Sequence, residues 1–291
     1  MTSENRLIGI QKYISRMPSL STTVTKVLEI CNQPTSSAND LNRVISLDPV
    51  LTGQVLKLIN SAYYSLPHRV TSLTRAIIML GVNTVKNLVL ATSVLATFKG
   101  SRTAGAFSMD DYWAHCLCVG ATAKALAALK HVPKAELEEF FVAGLLHDLG
   151  KLPMMACFPE RYDAAVINAA EQGISLDAAE RIHVGFDHCH VGYLICAKWK
   201  LKPDMRQSIT QHHQPAAAID LGMLVECVSL ANQMALRYQI GGAGDTYSDD
   251  LLLQTLIKRL GIDVGAMDEM KFGIQEQIEN ARVFLKSNGK G

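Results

Sequence analysis

The chain has 291 residues, of which 48% are hydrophobic and 19% are charged. This composition is typical of a globular protein with a large core, and it excludes an intrinsically disordered chain. The formal net charge of +1 gives no long-range field that would attract nucleic acid or an anionic membrane, so we expect neither as a partner.

The N-terminal residues and the cysteines both bear on the cellular location of the protein. The opening residues, MTSENRLIGIQK, lack the basic-then-apolar order of a secretory signal peptide, and no apolar run reaches the ~18 residues that a membrane span needs. The seven cysteines contain no C-x-x-C pair. Five of them sit in apolar helical patterns, which predicts reduced, buried thiols rather than disulfides or a cysteine-based zinc site. We therefore expect a cytoplasmic protein.

Helical periodicity dominates the first hundred residues. Asp48 and Pro49 predict an N-cap and a first helical residue. Ser72 is expected to cap a short helix that Gly81 ends, and Asn83 to cap the next helix. The helix after Asp48 should bury one apolar face, formed by Leu51, Val55, Leu58 and Ile59.

The rest of the chain continues the same pattern. The sequence KGSRTAGAFSM, from Lys99 to Met109, predicts a surface connection between two helical halves. Residues 241–244, Gly-Gly-Ala-Gly, predict a flexible break before short helices over Ser248–Leu260 and about Ala266–Lys286. Seven helices are predicted between this connection and the glycine-rich segment. The first starts at Asp110–Asp111 and runs to about Leu129, and the second runs from Pro133 to His147–Gly150. The others are Pro159–Gln172, Ser175–His183, Asp187–Lys200, Pro203–His212 and Leu221–Tyr238.

No segment with the two-residue period of a strand was found, so the predicted fold class is all-α. We divide it into an N-terminal helical half over residues 1–100, a helical core over residues 101–240 and a C-terminal helical tail over residues 241–291.

The histidines are the most informative polar residues. His147 and Asp148 end a predicted helix in the phrase GLLHDLGK, where an apolar run delivers them to the interior. An adjacent His-Asp pair offers a divalent metal both nitrogen and oxygen ligands, and side chains at helix ends can converge within a bundle. For four other histidines a hydrogen-bonded core role is the simpler interpretation, namely His68, His131, His183 and His190.

Several separate motifs resemble one family. GLLHDLGK is similar to the signature of the HD superfamily of metal-dependent phosphohydrolases, with YWAHC supplying a preceding histidine. ERIHVGFDHCHVGYLICAKW resembles the E-x4-G-x-D-H-x3-G segment of HDOD proteins, and QHHQP resembles their H-H-x-P turn. The front half, from MPSLSTTVTKVLEI to VNTVKNLVL, resembles the HDOD N-terminal signature. The resemblance covers roughly residues 15–235 and implies a bacterial HDOD protein with an HD-like helical bundle.

The resemblance also implies a metal site. In the related HD-GYP phosphodiesterases the ligand positions match His115, His147, Asp148, His188 and one or both of His212 and His213. Because imidazoles dominate this set, a divalent transition metal such as Fe, Mn, Ni or Zn is implied, and no organic cofactor is expected. A late aspartate of the family pattern is replaced by Asn232, which could ligate through its carbonyl oxygen but with less charge. The GYP loop is absent after His213, which argues against cyclic di-GMP hydrolysis.

Three functions compete at this point. The resemblance favours a non-catalytic or weakly catalytic signal-transduction module that binds other signalling proteins or a small-molecule or nucleotide ligand. The alternative is a metal-dependent phosphohydrolase acting on a nucleotide or phosphate ester, in which His147 and Asp148 bind the metal and Lys151 neutralises a phosphate oxygen. A helix-turn-helix over residues 73–98 would suggest DNA binding, but the near-zero net charge and the apolar second helix argue against it.

Overall fold

The computed structural model describes residues 2–31, 37–60, 64, 66, 68–98, 108–214 and 222–263. Within these ranges the chain is helical and has no strand, so the predicted all-α fold is confirmed. The helices are α1 (Ser3–Arg16), α2 (Thr22–Cys31), α3 (Ala38–Ile45), α4 (Pro49–Ile59), α5 (Leu73–Leu80), α6 (Val82–Thr97), α7 (Met109–Leu129), α8 (Leu137–Leu146), α9 (Lys151–Cys157), α10 (Pro159–Gln172), α11 (Leu176–His183), α12 (His188–Trp199), α13 (Pro203–Gln211), α14 (Met223–Arg237) and α15 (Asp250–Leu260).

One hydrophobic core runs through both helical halves. Helices α2 to α6 pack on one another, and α6 joins them to α8 in the centre. Helix α1 packs instead on α9 and α12. Its C-terminal carbonyls are bound by Lys198 Nζ, which donates to Ile14 O, Ser15 O and Met17 O at 2.9, 2.8 and 2.7 Å. The N-terminal helix is thus held against the second half by a lysine that satisfies its free carbonyls.

The centre of the molecule is the packing of α7 against α8 and α14. Gly120 and Gly144 face each other where α7 crosses α8, and a Cβ on Gly144 would lie 2.7 Å from Gly120 Cα. A Cβ on Gly150 would lie 1.9 Å from His188 O. These close backbone approaches place the end of α8 beside the start of α12.

Most predicted helix boundaries agree with the structure. Asp48 caps α4 by accepting from Leu51 N at 3.0 Å, and Ser72 caps α5 by accepting from Arg75 N at 3.2 Å. Helix α6 begins two residues earlier than a cap at Asn83 implies, because Gly81 with φ 87° turns straight into it and no side chain caps it. The prediction of a cap at Asn83 is therefore wrong.

Two further boundaries differ from the sequence analysis. Helix α8 starts at Leu137 rather than Pro133, because the residues between them form turns. Helix α9 was not predicted, since its apolar sequence continues that of α8 without a clear second start. Residues 99–107 of the predicted connection and the predicted helix near residues 266–286 lie outside the described residues.

The prediction of a flexible break at residues 241–244 is wrong, because this segment packs tightly against α7. Gly242 N donates to Asp111 O at 3.1 Å, and Ala243 is fully buried. A Cβ on Gly241, which has φ 69°, would lie 2.4 Å from His115 N. Gly241 therefore serves the close approach of this segment to α7.

One stretch contradicts the expectation that no apolar run has the length of a membrane span. Among the described residues, Leu137–Cys157 passes a length and hydropathy test, and 89% of the tested window is buried in the protein. A helix that is apolar on all sides is equally typical of the centre of a folded core. Here the stretch contains α8, α9 and the His147–Asp148 pair between them.

The contact between α7 and α8 leads to a stability prediction. Gly144→Ala should lower the free energy of unfolding by about 1–3 kcal/mol, because its Cβ meets backbone that cannot move aside. Gly53→Ala is the matched control, since Gly53 lies in α4 with nothing within 4 Å of an added Cβ. This variant should have a free energy of unfolding about 0.5–1 kcal/mol higher than the parent. Urea unfolding of both variants checks this. Equal stability of the two would contradict the packing described.

Candidate metal centre

Four segments bring polar side chains to one buried point. His115 lies within α7, His147 and Asp148 follow α8, His188 opens α12, and His212 and His213 follow α13. All of them are buried except His213, which is half-buried. Residues spread over about a hundred positions of the sequence thus share one site, as in other helical bundles that bind metals.

The carboxylate of Asp148 is the centre of this cluster. Its Oδ2 lies 3.3 Å from His147 Nε2, 3.7 Å from His115 Nε2 and 2.7 Å from Lys151 Nζ. Its Oδ1 lies 3.3 Å from His188 Nε2 and 3.7 Å from His212 Nε2. The structure therefore brings together residues that the sequence suggested as ligands. Oδ2 faces His115 and His147, and Oδ1 faces His188 and His212.

The orientation of three imidazoles follows from their outer hydrogen bonds. His147 Nδ1 donates to Gly144 O at 2.7 Å, and His212 Nδ1 donates to Ile209 O at 3.0 Å. His188 Nδ1 donates to Glu180 Oε2 at 2.7 Å. Because carbonyl and carboxylate oxygens only accept, each Nδ1 carries a proton and each Nε2 is directed to the centre, where it offers a lone pair to a metal once it is deprotonated. This is the arrangement of metal-binding histidines with oriented outer partners.

Glu180 is a functional residue that sequence reasoning quoted within a motif but gave no role. Its Oε2 accepts from both the ring and the backbone N of His188, the latter at 2.8 Å. The other motif positions explain the spacing: Gly185 turns with φ 97°, and Asp187 caps α12 by accepting from His190 N at 2.9 Å. The motif therefore fixes the orientation of the His188 ring.

The ligand atoms form two adjacent groups. The first contains His115, His147 and Asp148, and within each group one ligand atom per residue lies within 4.8 Å of the others. The second group contains His188, Cys189, His212 and His213. Cys189 was missed, because its surroundings in the sequence predicted only a buried thiol. Its Sγ lies 3.9 Å from His212 Nδ1.

The buried atoms of this cluster test whether a cation fits. Three of them have no hydrogen-bond partner among the described residues: His147 Nε2, Asp148 Oδ1 and Asn232 Oδ1. Buried polar atoms without partners are rare. His188 Nε2 lies 3.3 Å from Asp148 Oδ1 and 3.1 Å from His213 Nε2. Acceptor atoms this close repel unless a proton or a cation lies between them, and a set of ring nitrogens with one carboxylate fits a divalent transition metal.

The pKa values of the cluster follow from burial and neighbours. Burial opposes the charge of Asp148, but His147 and Lys151 outweigh it and hold the pKa of Asp148 well below its usual range. Burial lowers the pKa of His115 to about 3, so that ring is neutral and able to ligate. Burial acts in the same direction on His212, but Cys189 and the bond to Asp148 raise the pKa of His212 to about 9.

A cavity of about 580 Å³ reaches the second group from outside. His213 and Cys189 form part of its wall, and Tyr193 and Arg181 lie further out. Arg181 is already bound to Asp177 and Asp187. Solvent can thus approach the cluster from the side of His213, while the first group is enclosed.

The remaining histidines lie outside the cluster. His183 is half-buried, whereas three others are exposed, so the interpretation of these three as core residues is wrong: His68, His131 and His190. Their surroundings in the sequence contained apolar residues that belong to other faces of the same segments.

With this geometry in view, the chain can be compared with known proteins. The HDOD domain model matches residues 17–215, more than half of the chain. The protein belongs to the HDOD domain family. The resemblance inferred from the motifs is thereby confirmed.

Solved structures share the fold of this HDOD protein. An HDOD domain protein of unknown function from Geobacter sulfurreducens has a TM-score of 0.76 and 24% identity, over 96% of this chain and 98% of that one. A candidate signal transduction protein from Marinobacter aquaeolei VT8 has a TM-score of 0.78 and 19% identity, over 98% and 66%. A candidate phosphohydrolase from Shewanella amazonensis SB2B has a TM-score of 0.73 and 24% identity, over 95% and 98%.

A relative in Treponema pallidum (strain Nichols), an uncharacterized protein, is 24% identical over 238 residues. The match covers 80% of this chain but 44% of the relative. This chain therefore spans less than half the length of that protein.

The pKa of His212 predicts how metal binding depends on pH. Below about 9 a metal must displace the proton of His212, so its dissociation constant should fall roughly tenfold per pH unit between 6.5 and 9. The metal-free protein should show the opposite trend. The raised pKa contributes stability that is complete below pH 6.5 and is lost as pH rises through about 9.

Cobalt(II) titration against a competing chelator, and thermal unfolding of chelator-treated protein, measure the two trends. His68→Gln is the control, since His68 is exposed and outside the cluster, and it should leave both unchanged. A metal affinity that does not vary between pH 6.5 and 9 would contradict the role given to His212.

Proposed function

We propose that this HDOD protein is a signal-transduction module whose His/Asp centre holds a divalent transition metal as part of its folded structure, without efficient turnover. The observation that carries the proposal is the position of Lys151. Its ammonium is 1% exposed and donates to Asp148 Oδ2 at 2.7 Å and to Ala243 O at 3.0 Å. A lysine that is buried and paired with Asp148 in this way is poorly placed to neutralise the phosphate of an incoming substrate as well.

The charge of the centre supports the same proposal. The late carboxylate of the HD pattern is here Asn232, whose amide lies beside His115 and whose Oδ1 has no partner among the described residues. A neutral amide adds no negative charge to hold a metal or to favour a bound hydroxide. When bound, the metal would supply positive charge at Asp148 and cross-link four helical segments.

The proposed partners are other signalling proteins or a small-molecule or nucleotide ligand in the cytoplasm, rather than nucleic acid or a membrane. Every side chain from Thr84 to Thr92 of α6 is buried. The second helix of the helix-turn-helix alternative therefore has no free face over these residues for a DNA groove.

A phosphohydrolase is the second candidate, and the cavity beside His213 is the observation that favours it. Through this cavity a phosphate ester could approach the second ligand group from solvent. Elemental analysis of the purified protein and a panel of phosphate esters distinguish the two functions.

We expect bound transition metal in the parent protein and little or no hydrolysis of any ester. His147→Ala should lose most of the metal, because it removes one of the ligands around Asp148. Cys196→Ser, a change at a buried cysteine of α12 outside both ligand groups, is the control and should keep the metal. Robust hydrolysis by the parent that disappears together with the metal in His147→Ala would replace the regulatory proposal by the enzymatic one.

Asn232→Asp provides a second test. In a weakened hydrolase the added carboxylate should tighten metal binding and raise hydrolysis of a generic phosphodiester clearly above the parent. In a regulatory centre the added charge is buried without sufficient pairing, so the variant should melt at a lower temperature and gain no turnover. We expect the second result. Melting temperature, metal content and hydrolysis are measured together, and a gain in turnover without loss of stability would contradict us.

A further inference from the structure

Away from the metal centre, α6 carries the buried lysine Lys86, which is 4% exposed. Among the described residues its ammonium has no ion pair and no hydrogen bond to an acceptor. Burial, followed by the nearby Lys202 ammonium, lowers the pKa of Lys86. A buried cation beside a second cation is costly unless an anion compensates for both.

The next residue of α6 points to the same conclusion. Asn87 is 3% exposed, and its Nδ2 has no hydrogen-bond partner in the part of the chain that the structure describes. Both side chains line a cavity between α6, α8 and the turn from α12 to α13. An ammonium and a free amide N–H are donors, so the group that would satisfy both must be an acceptor.

The charges around this cavity favour an anion. Lys200 and Lys202 line its outer part, and Glu139 is the acidic residue among the described lining residues. Glu139 Oε1 forms an ion pair with Lys202 Nζ at 3.9 Å. The described lining thus contains three lysines, Lys86, Lys200 and Lys202, and one carboxylate. The cavity also adjoins the first turn of α13, where the partial positive charge of the helix N-terminus adds to the lysines.

We propose that this cavity, which we call the Lys86 pocket, binds a small oxyanion such as inorganic phosphate or the terminal phosphate of a larger ligand. Its volume is about 30 Å³. Since one water needs about 10–15 Å³ on this measure, there is room for about two waters or one small anionic group. The remainder of a larger ligand would extend past Lys202, which is 45% exposed. This site does not depend on the function proposed for the metal centre.

Titration of chelator-treated protein with inorganic phosphate, followed by calorimetry and melting temperature, tests the proposal. Removing the metal prevents phosphate from binding at the metal centre instead. Sodium chloride at equal ionic strength is the reference, because general screening acts on surface charges in both salts. We expect saturable binding and a higher melting temperature in phosphate.

Two variants locate the binding. Lys86→Met should weaken phosphate binding by roughly tenfold or more, the loss of a charged hydrogen bond. It should fold in phosphate-free buffer at least as well as the parent, because it removes an unpaired buried charge. Lys202→Gln, at an exposed position, should weaken binding without affecting folding, and Lys258→Gln on α15 should have no effect. Absence of saturable phosphate binding, or equal binding by the parent and Lys86→Met, would overturn the proposal.

Discussion

The rest of the structure depends on burying one carboxylate, that of Asp148, in the middle of a helical bundle. A carboxylate that is 1% exposed is costly unless cations surround it. Lys151 supplies one positive charge, and only to Oδ2. Oδ1 faces Nε2 of His188 and of His212 and has no hydrogen-bond partner among the described residues. The fold therefore balances the formal charge with its own lysine at Oδ2 and leaves Oδ1 beside ring nitrogens that would share a bound cation with it.

The packing around this carboxylate shows how closely the fold is built on it. Gly150 lets the chain after Asp148 touch the backbone of His188, and Gly241 lets the C-terminal loop touch His115 N. The same loop offers Ala243 O to Lys151 and places Asp245 near it in the interior. Loss or gain of charge at Asp148 would thus act on Lys151 and, through it, on the loop that leads to α15. This is a physical connection between the buried centre and the loop that leads to α15.

Sequence analysis predicted the helices and the clustered histidines because both leave local signals, a 3.6-residue period in one case and His-Asp or His-His pairs at helix ends in the other. It could not predict what depends on tertiary contacts. The glycines at 241–244 are compatible with flexibility and with close approach, and only the neighbouring α7 decides between them. The role of Glu180 could have been suspected from its motif, whereas Cys189 and Lys86 gave no signal, since apolar helical surroundings are equally typical of inert residues.

Helix α13 connects the two polar sites of the molecule. Its first turn contributes Met205 to the Lys86 pocket, and its last residue precedes His212, whose Nδ1 is held by Ile209 O of the same helix. At 1.5 Å per residue, the nine residues of α13 span about 13 Å between the two sites' ends of the helix. A displacement of α13 by an anion at its N-terminus would also move the His212 ring at its C-terminus. Linkage then requires reciprocity: if phosphate changes the affinity for the metal, the metal must change the affinity for phosphate by the same factor. Under the proposed regulatory function, a helix with a ligand site at each end is a simple device for converting the binding of one ligand into a change at the other site.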